Sequence, residues 1–374
     1  MMRIAHLANF YGPTSGGLRT AMHHIGSGYL DRGHEVLLVV PGARDAEEET
    51  PYGRRVTVAS PVVPFSGGYR VIVRLAHVRR LLAAWGPDRI EVSDRTTLRG
   101  IGRWAGRRGI HSTFFSHERA DGILLSLLPR SVRGTLPVRA LADAHNRGTA
   151  RRFTRVVCTT AFAAEEFARI GRTSERIPLG VDLEWFRPGR ASLAVRGMCA
   201  APGEDLLVMA SRLSREKSPE LAIEAVRVLA ARGRPVRLVC LGTGALARNV
   251  ERRAAGLPIS FVGFVADRDA YATLLASADV VLAPGPIETF GLAALEALAS
   301  GTPVVVNEAS ALPEVIGGAG IAAPGNPEAF ARAIEAILER PAAERRGAAR
   351  SRAELFPWRA TVDRLLDLRT VPVS

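Results

Sequence analysis

Lysine is almost missing from this chain. Of its 50 basic side chains, one is Lys217 and the other 49 are arginine. A bias that turns cationic positions into arginine but spares one marks a place where a compact ammonium serves better than a planar guanidinium. Cysteine is scarce too. Cys158, Cys199 and Cys240 are three in number, far apart and without C-x-x-C spacing, which excludes a disulfide framework and a zinc site and suits a reducing compartment. Aromatic residues make up only 6%, and no helix-turn-helix, zinc-finger or aromatic-rich RNA-binding pattern occurs, so no nucleic-acid partner is expected. Apolar runs never approach the roughly 18 residues needed to cross a bilayer. The opening Met1-Met-Arg-Ile-Ala-His-Leu-Ala leads into a polar, glycine-rich stretch with no signal-like apolar segment, so the expected location is cytoplasmic, at most peripheral on the inner face of a membrane.

What is present is an ordinary globular composition: 374 residues, 47% hydrophobic and 23% charged, enough for two cores. Short apolar runs alternate with amphipathic helical ones from end to end (3–10, 18–32, 35–40, and again 205–210, 221–231, 236–241). Such alternation predicts parallel sheets covered by helices on both faces, two doubly wound α/β domains. The rhythm restarts near residue 205, after a Pro, Gly and Arg-rich stretch at 187–192. The expected division is therefore 1–188 and 189–356, with 357–374 as a last helix outside the second core. The formal charge of +13 falls almost wholly in the first half, which favours an anionic partner there.

Lys217 sits in a strand-to-helix loop. Ser218 reads as the cap of the following helix and Pro219 as its first residue, so the ammonium lies beside a helix N-terminus, where anions are held well. A second such site is predicted at Glu288-Thr-Phe-Gly-Leu-Ala-Ala-Leu-Glu296, between a strand at 279–283 and Gly301-Thr-Pro. Free N–H groups of Gly291 and Leu292 could hold a diphosphate, and Gly291 lets a ligand approach the backbone closely. Glu296, one turn further along a helix of Ala and Leu, needs a hydrogen-bonding partner that a ribose diol would supply.

Two carboxylates, Glu288 and Glu296, with seven residues between and Gly-Thr-Pro-Val-Val following, resemble the signature of retaining glycosyltransferases of the GT-B fold, family 4. Arg212 with Lys217 resembles that family's diphosphate-contacting pair. Pro178-Leu-Gly-Val-Asp182-Leu-Glu-Trp-Phe-Arg-Pro188 resembles its interdomain segment, Gly16-Gly17 its N-terminal glycine loop, and the tail around Pro357-Trp358 its helix crossing back to the first domain. The resemblance implies two Rossmann-like domains facing a cleft, the first for the acceptor and the second for the nucleotide sugar. It also implies that Arg212 and Lys217 neutralise the donor diphosphate, that Glu288 contacts the donor sugar and that Glu296 binds ribose. The backbone from Phe290 through Gly291 to Leu292 would hold sugar hydroxyls and phosphate. His117, in Phe114-Phe-Ser-His117-Glu-Arg119, would touch the sugar near the anomeric carbon. Gly16, Gly17, Gly242, Thr243 and Val265 complete the donor-binding set.

The expected activity is thus transfer of a hexose of mannose or glucose type, with retention, from GDP-mannose or a UDP-hexose to a lipid-linked, polysaccharide or small-molecule acceptor. No cofactor is expected. No Asp-x-Asp or histidine cluster offers to hold a metal, so the two cations are expected to take its place against the leaving phosphate. The Glu118-Arg119-Ala-Asp121 that follows His117 leaves the acceptor open. Residues 70–85 carry apolar side chains at 71, 75, 78, 82 and 85 and basic ones at 70, 74, 79 and 80, a pattern that fits either a helix lying on an anionic membrane or a core-packed helix with a basic edge. Two other classes stay in view. Gly242-Thr-Gly244-Ala-Leu-Ala247 spells a G-x-G-x-x-A pattern that would suit an NAD(P)-dependent oxidoreductase, and the basic first half would suit a nucleic-acid-binding protein.

Overall fold

The computed structural model describes residues 1–12, 16–64, 66–127 and 136–368, and the chain divides into two compact units, Met1–Leu179 with Trp358–Ser374, and Gly180–Pro357. The division falls at Leu179 rather than after Pro188. Residues 180–188 belong with the second unit because Val181 pairs with Pro357 and the Arg350 guanidinium donates to the Leu183 and Phe186 carbonyls at 3.1 and 2.9 Å.

The first unit contains β1 (Arg3–Ala8), α1 (Gly17–Leu30), β2 (Glu35–Gly42), β3 (Ala46–Thr50), β4 (Gly53–Ala59), α2 (Leu75–Trp85), β5 (Arg89–Ser93), α3 (Gly100–Gly106), β6 (His111–Ser116), α4 (Ala120–Leu127), α5 (Val138–Ala150), β7 (Arg155–Cys158), α6 (Ala161–Ala168) and β8 (Glu175–Arg176). Its sheet runs β3-β4-β2-β1-β5-β6-β7-β8, parallel throughout except where β3 pairs antiparallel with β4. Apolar clusters cover both faces, one around Leu7, Val92 and Phe114, the other around Ile4, Tyr29 and Phe115. The β3–β4 hairpin breaks the expected strand-helix rhythm. Its β3 residues, Ala-Glu-Glu-Glu-Thr, are almost wholly solvent-facing, and Glu47 and Glu48 pair with Arg54 and Arg55 across the ladder, so charge complementarity rather than burial holds this edge.

The second unit contains α7 (Leu193–Cys199), β9 (Asp205–Ala210), α8 (Pro219–Ala231), β10 (Val236–Leu241), α9 (Ala247–Arg253), β11 (Ile259–Gly263), α10 (Arg268–Ser277), β12 (Val280–Ala283), α11 (Leu292–Ala299), β13 (Val304–Asn307), α12 (Leu312–Ile316), β14 (Ile321–Ala323), α13 (Pro327–Leu338) and α14 (Ala342–Ala353). Its sheet, β11-β10-β9-β12-β13-β14, is wholly parallel. The apolar runs in β9, β10 and β13 are the mark of strands buried on both faces. Strand order reverses direction between β9 and β12, so the loops leaving the carboxyl ends of these two strands diverge and open a crevice there.

The last helix, α15 (Trp358–Leu366), returns to the first unit, as expected. Val362 and Leu365 enter its core, Trp358 stacks on His24 with centroids 4.8 Å apart, and Arg32 donates to Asp363 at 2.5 Å. Residues 70–85 do not form one helix. The run Val71-Ile-Val73 is β-branched, the Ile72 amide donates to Asn9 Oδ1 at 2.8 Å, and α2 begins only at Leu75. Its apolar residues Val78, Leu82 and Trp85 are core members, so the core-packed reading of this segment prevails and the membrane-lying one is withdrawn. Among the described residues no helix is long and apolar enough to cross a membrane.

Candidate active site

The residues expected from sequence to hold a diphosphate stand on the loops at the carboxyl ends of β9 and β12. After β9, buried Leu213 anchors the chain, and a short 3-10 turn, Arg215–Lys217, carries the lysine. Ser218 adopts a left-handed conformation at φ 47° and caps α8 through its backbone. Its hydroxyl does not cap as expected but donates to the Arg215 carbonyl at 3.3 Å. Opposite, Gly285 follows β12. A Cβ at this position would lie 2.7 Å from the Glu216 carbonyl oxygen and 3.1 Å from Lys217 Cα, so only glycine lets the two loops run backbone to backbone. That approach brings the Lys217 ammonium onto the Glu288 carboxylate as an ion pair. Arg212, half exposed, pairs with Glu216 at 2.9 Å. Two cations expected to share one anion thus stand on one loop, each held by a single acid that a more strongly charged ligand can displace.

The Glu288 loop leads to α11. Gly291, its first flanking residue, has φ 78°, and an added Cβ would meet Leu312 Cδ2 at 2.4 Å, so both conformation and packing require glycine. No side chain caps this helix. Phe290 is buried, edge-to-face with Phe356 at 6.2 Å, and Leu292 is buried as well, so what these two positions can offer a ligand is backbone. Glu296 is half-buried one turn along and accepts from the Tyr271 hydroxyl at 2.9 Å. Burial pushes its pKa up to about 7, with the Tyr271 hydrogen bond and Arg268 opposing and Asp182 reinforcing the rise.

The loop after β10 packs against the loop that carries Arg212. Gly242, at φ 124°, donates to the Gly263 carbonyl at 2.7 Å. A Cβ on it would fall 2.2 Å from the Ser211 carbonyl oxygen, and one on Gly244 would fall 2.3 Å from that of Leu213. Both glycines of the G-x-G-x-x-A pattern therefore serve close packing against the Arg212 loop, and α9 starts only at Ala247. The pattern has a structural cause that needs no dinucleotide. Thr243 is exposed and Val265 half-buried, beside the outward-facing Val262 and Phe264.

His117, Gly16 and Gly17 stand in the first unit. Gly16 precedes α1, is exposed, and would have open space around a Cβ. His117 follows β6; its Nε2 lies 2.9 Å from Ser93 Oγ and its ring stacks on Phe115. Burial, with His6 and Arg95 nearby, pushes its pKa down to about 3, which keeps the ring neutral. Arg119 is fully engaged with Asp121 at 2.8 Å, Glu165 at 2.8 Å and the Phe162 carbonyl at 2.9 Å, and so ties α4 to α6.

Sequence reasoning missed the groups behind His117. Arg95 is buried and reaches Asn146 Oδ1 at 2.7 Å, Ser116 Oγ at 2.6 Å and the Glu118 carbonyl. Glu166, fully buried, accepts from the Ala120 and Asp121 amides at 2.9 Å. The polar Asp94-Arg95 directly after the buried strand β5 was the available signal for Arg95. Tyr271, which satisfies Glu296, lies in an ordinary amphipathic helix and had none. Among the described residues no three His, Cys, Asp or Glu side chains form a group able to hold a metal ion.

Paired cations and acids stand at the switch point of the second sheet, beside a glycine-started helix one turn before a half-buried carboxylate, an arrangement suited to an anionic ligand. Comparison with known proteins identifies the family. Residues 204–340 match the family "Glycosyl transferases group 1" and residues 16–180 match "Glycosyl transferase 4-like domain". The chain is 49% identical over 377 aligned positions to a GDP-mannose-dependent alpha-(1-6)-phosphatidylinositol dimannoside mannosyltransferase of Mycobacterium tuberculosis, covering 100% of this chain and 97% of that protein. Among solved structures it superposes on sucrose-phosphate synthase from Thermosynechococcus elongatus with a TM-score of 0.79, at 20% identity and 98% coverage of both chains. It superposes on HepE from Anabaena, solved with UDP and glucose, with a TM-score of 0.73 at 19% identity, covering 98% of this chain and 99% of that one. The chain belongs to the group 1, family 4-like glycosyltransferases of the GT-B fold, and it is a glycosyltransferase.

Proposed function

We propose that this chain transfers mannose, with retention of anomeric configuration, from GDP-mannose to a mannosylated inositol phospholipid. The observation that carries the reading is the Lys217–Glu288 pair beside Arg212 and the Gly291 helix start, in a chain half identical along its whole length to a mannosyltransferase of that specificity. When donor binds, its diphosphate takes Lys217 and Arg212 and the α11 start, Glu288 turns to the sugar hydroxyls, Glu296 accepts the ribose diol, and His117 touches the transferred sugar. As the bond to the departing phosphate breaks, negative charge grows where the ammonium, guanidinium and helix N–H groups already point. These groups take the place a metal ion holds in other transferases, and the leaving phosphate accepts the acceptor's proton.

An acceptor of this kind is anionic and membrane-borne. The exposed Arg79 and Arg80 on α2, whose apolar side is committed to the core, support a contact that is electrostatic rather than insertional. The test is direct. Thermal shifts with GDP, UDP and ADP separate the bases, since only a ligand of the folded state raises its stability. Mannose transfer from GDP-mannose to dimannosylated phosphatidylinositol, unaffected by EDTA, is the expected activity. Stabilisation by UDP alone, or transfer abolished by chelation, would overturn the corresponding part of the reading.

A further inference from the structure

Arg95, two residues beyond β5, is buried and sets its guanidinium over the rings of Phe114 and Phe167, 5.5 and 5.9 Å from their centroids. A charge so placed is costly unless its donors are used. Nη1 donates to Asn146 Oδ1 at 2.7 Å, and Nη2 donates to Ser116 Oγ at 2.6 Å and to the Glu118 carbonyl. Ser116 and Glu118 are the neighbours of His117 in the chain. One guanidinium therefore grips the backbone immediately before and immediately after the histidine. The Ser116 hydroxyl closes the same turn by donating to the Glu118 carbonyl at 3.2 Å. Arg95 is held in its turn, because the adjacent Asp94 carboxylate accepts from the Leu98 amide at 2.8 Å and from the Thr96 hydroxyl at 2.7 Å, which fixes the loop that carries it.

The next backbone groups go to a side chain of opposite charge. Glu166, on α6 and fully buried, accepts from the Ala120 amide with Oε2 and from the Asp121 amide with Oε1, both at 2.9 Å. These are the first amides of α4, where the helix favours a negative charge. The cap of α4 is thus supplied by another helix. Glu166 Oε2 stands 3.4 Å from Arg95 Nη2, so each charge compensates the other. A buried ion pair is seldom the most stabilising way to fill such a space. What this one supplies is a single backbone geometry on both sides of residue 117.

We propose that Arg95 and Glu166 are positioning residues: together they lock the turn from Ser116 to Asp121 and set His117 at one place and angle. The effect on catalysis rests on the sugar contact of His117 proposed above. Displacing a sugar-contacting group by about 1 Å costs up to roughly a hundredfold in rate, so the reaction is a sensitive reporter of the lock. Arg95→Lys keeps the charge but exchanges a planar fork for a single ammonium, which cannot serve Asn146, Ser116 and Glu118 together. Glu166→Gln keeps the shape but sets an NH2 group against one of the two amides.

Hydrogen exchange on the full chain without substrate reads the lock itself. In the wild type the Ala120 and Asp121 amides exchange slowly. In both variants they exchange at least about tenfold faster while the amides of β5 and β7 keep their rates, whereas a general loss of stability would speed all of them together. Steady-state mannosyl transfer reads the consequence: kcat falls about tenfold to a hundredfold in each variant, with calorimetric GDP affinity within about twofold of the wild type. In a His117→Ala background, Arg95→Lys lowers kcat by no more than about twofold further, because its effect runs through the histidine. The proposal is overturned by fast exchange at Ala120 and Asp121 in the wild type, or by unchanged exchange in the variants. Where His117→Ala itself lowers kcat, it is also overturned by variants that leave kcat unmoved or multiply their loss with that of His117→Ala. The wild-type exchange decides if neither variant folds. Exchange as expected together with a His117→Ala enzyme of wild-type kcat refutes the sugar contact and leaves the lock standing.

Discussion

Replacing the single lysine, Lys217→Ala, separates two effects that the structure sets against each other. Lys217 and Glu288 are each about one-fifth exposed, 22% and 20%, and paired. Without the ammonium, the Glu288 carboxylate is left half-buried and uncompensated, which lowers stability by about 1 to 2 kcal/mol, between the values for exposed and for fully buried pairs. The same carboxylate then repels the donor diphosphate, so GDP affinity falls. The larger effect is on the reaction. Loss of one preorganised group facing developing phosphate charge costs about 3 kcal/mol, or roughly two powers of ten in kcat. Steady-state mannosyl transfer with calorimetric GDP binding measures both. In Lys217→Ala/Glu288→Gln the repulsion is gone, so GDP affinity recovers much of its loss while kcat stays roughly a hundredfold down, a coupling that a double-mutant cycle resolves. If Lys217→Ala keeps kcat within about threefold of the wild type, the ammonium does not meet the departing phosphate and the assignment fails.

Glu296 titrates from about 7 because burial raises it, so if its carboxylate accepts the ribose diol, GDP affinity rises as pH climbs through 7 and is flat in Glu296→Gln; equal affinity at pH 6 and pH 8 in the wild type would refute the role. Tyr271→Phe removes the hydrogen bond that opposes this rise and moves the midpoint of that pH profile upward. For stability the sign is opposite. A carboxyl raised in the folded state favours folding below its unfolded value near 4.5 and loses that advantage as pH rises to 7, so Glu296→Gln should melt higher than wild type at pH 8 and little differently at pH 4.5, by at most about 3 kcal/mol. Gly291→Ala combines a left-handed backbone with a 2.4 Å contact to Leu312 and should cost about 2 to 4 kcal/mol by thermal melting; adding Leu312→Ala relieves the clash but not the backbone strain, and full recovery would show the conformation to be unstrained. Binding to anionic vesicles should vanish between about 50 and 300 mM salt, and salt-resistant binding would mean apolar insertion after all.

The parallel architecture was legible because the central strands of both sheets are buried, largely apolar runs, which read the same whatever the tertiary detail. The exceptions have particular causes. The β3–β4 hairpin is held by Glu–Arg pairs on an exposed edge, so it lacks the apolar signal, and the 70–85 helix lost its first turn to a hydrogen bond from Ile72 to Asn9, a contact 63 positions away that local periodicity does not contain. The domain boundary moved because Arg350 holds residues 183 and 186 from far along the chain.

At the site the pattern is the same. Lys217, Glu288, Gly291 and Glu296 were singled out because each stands apart from its local composition: a lone ammonium, an acid in the loop before an apolar helix and another within it, a glycine where the helix should begin. Their supports were not, because Tyr271, Arg95 and Ser93 look ordinary in their own segments and gain meaning only from what lies across the fold. The Lys217–Glu288 pair belongs to neither class. Each partner was singled out for its own contact with donor, yet Gly285 is what joins them, since a side chain there would part the two loops. Gly285→Ala should therefore imitate Lys217→Ala in catalysis while leaving both charges in place, and a fully active Gly285→Ala enzyme would show that the close approach of the loops is dispensable for transfer.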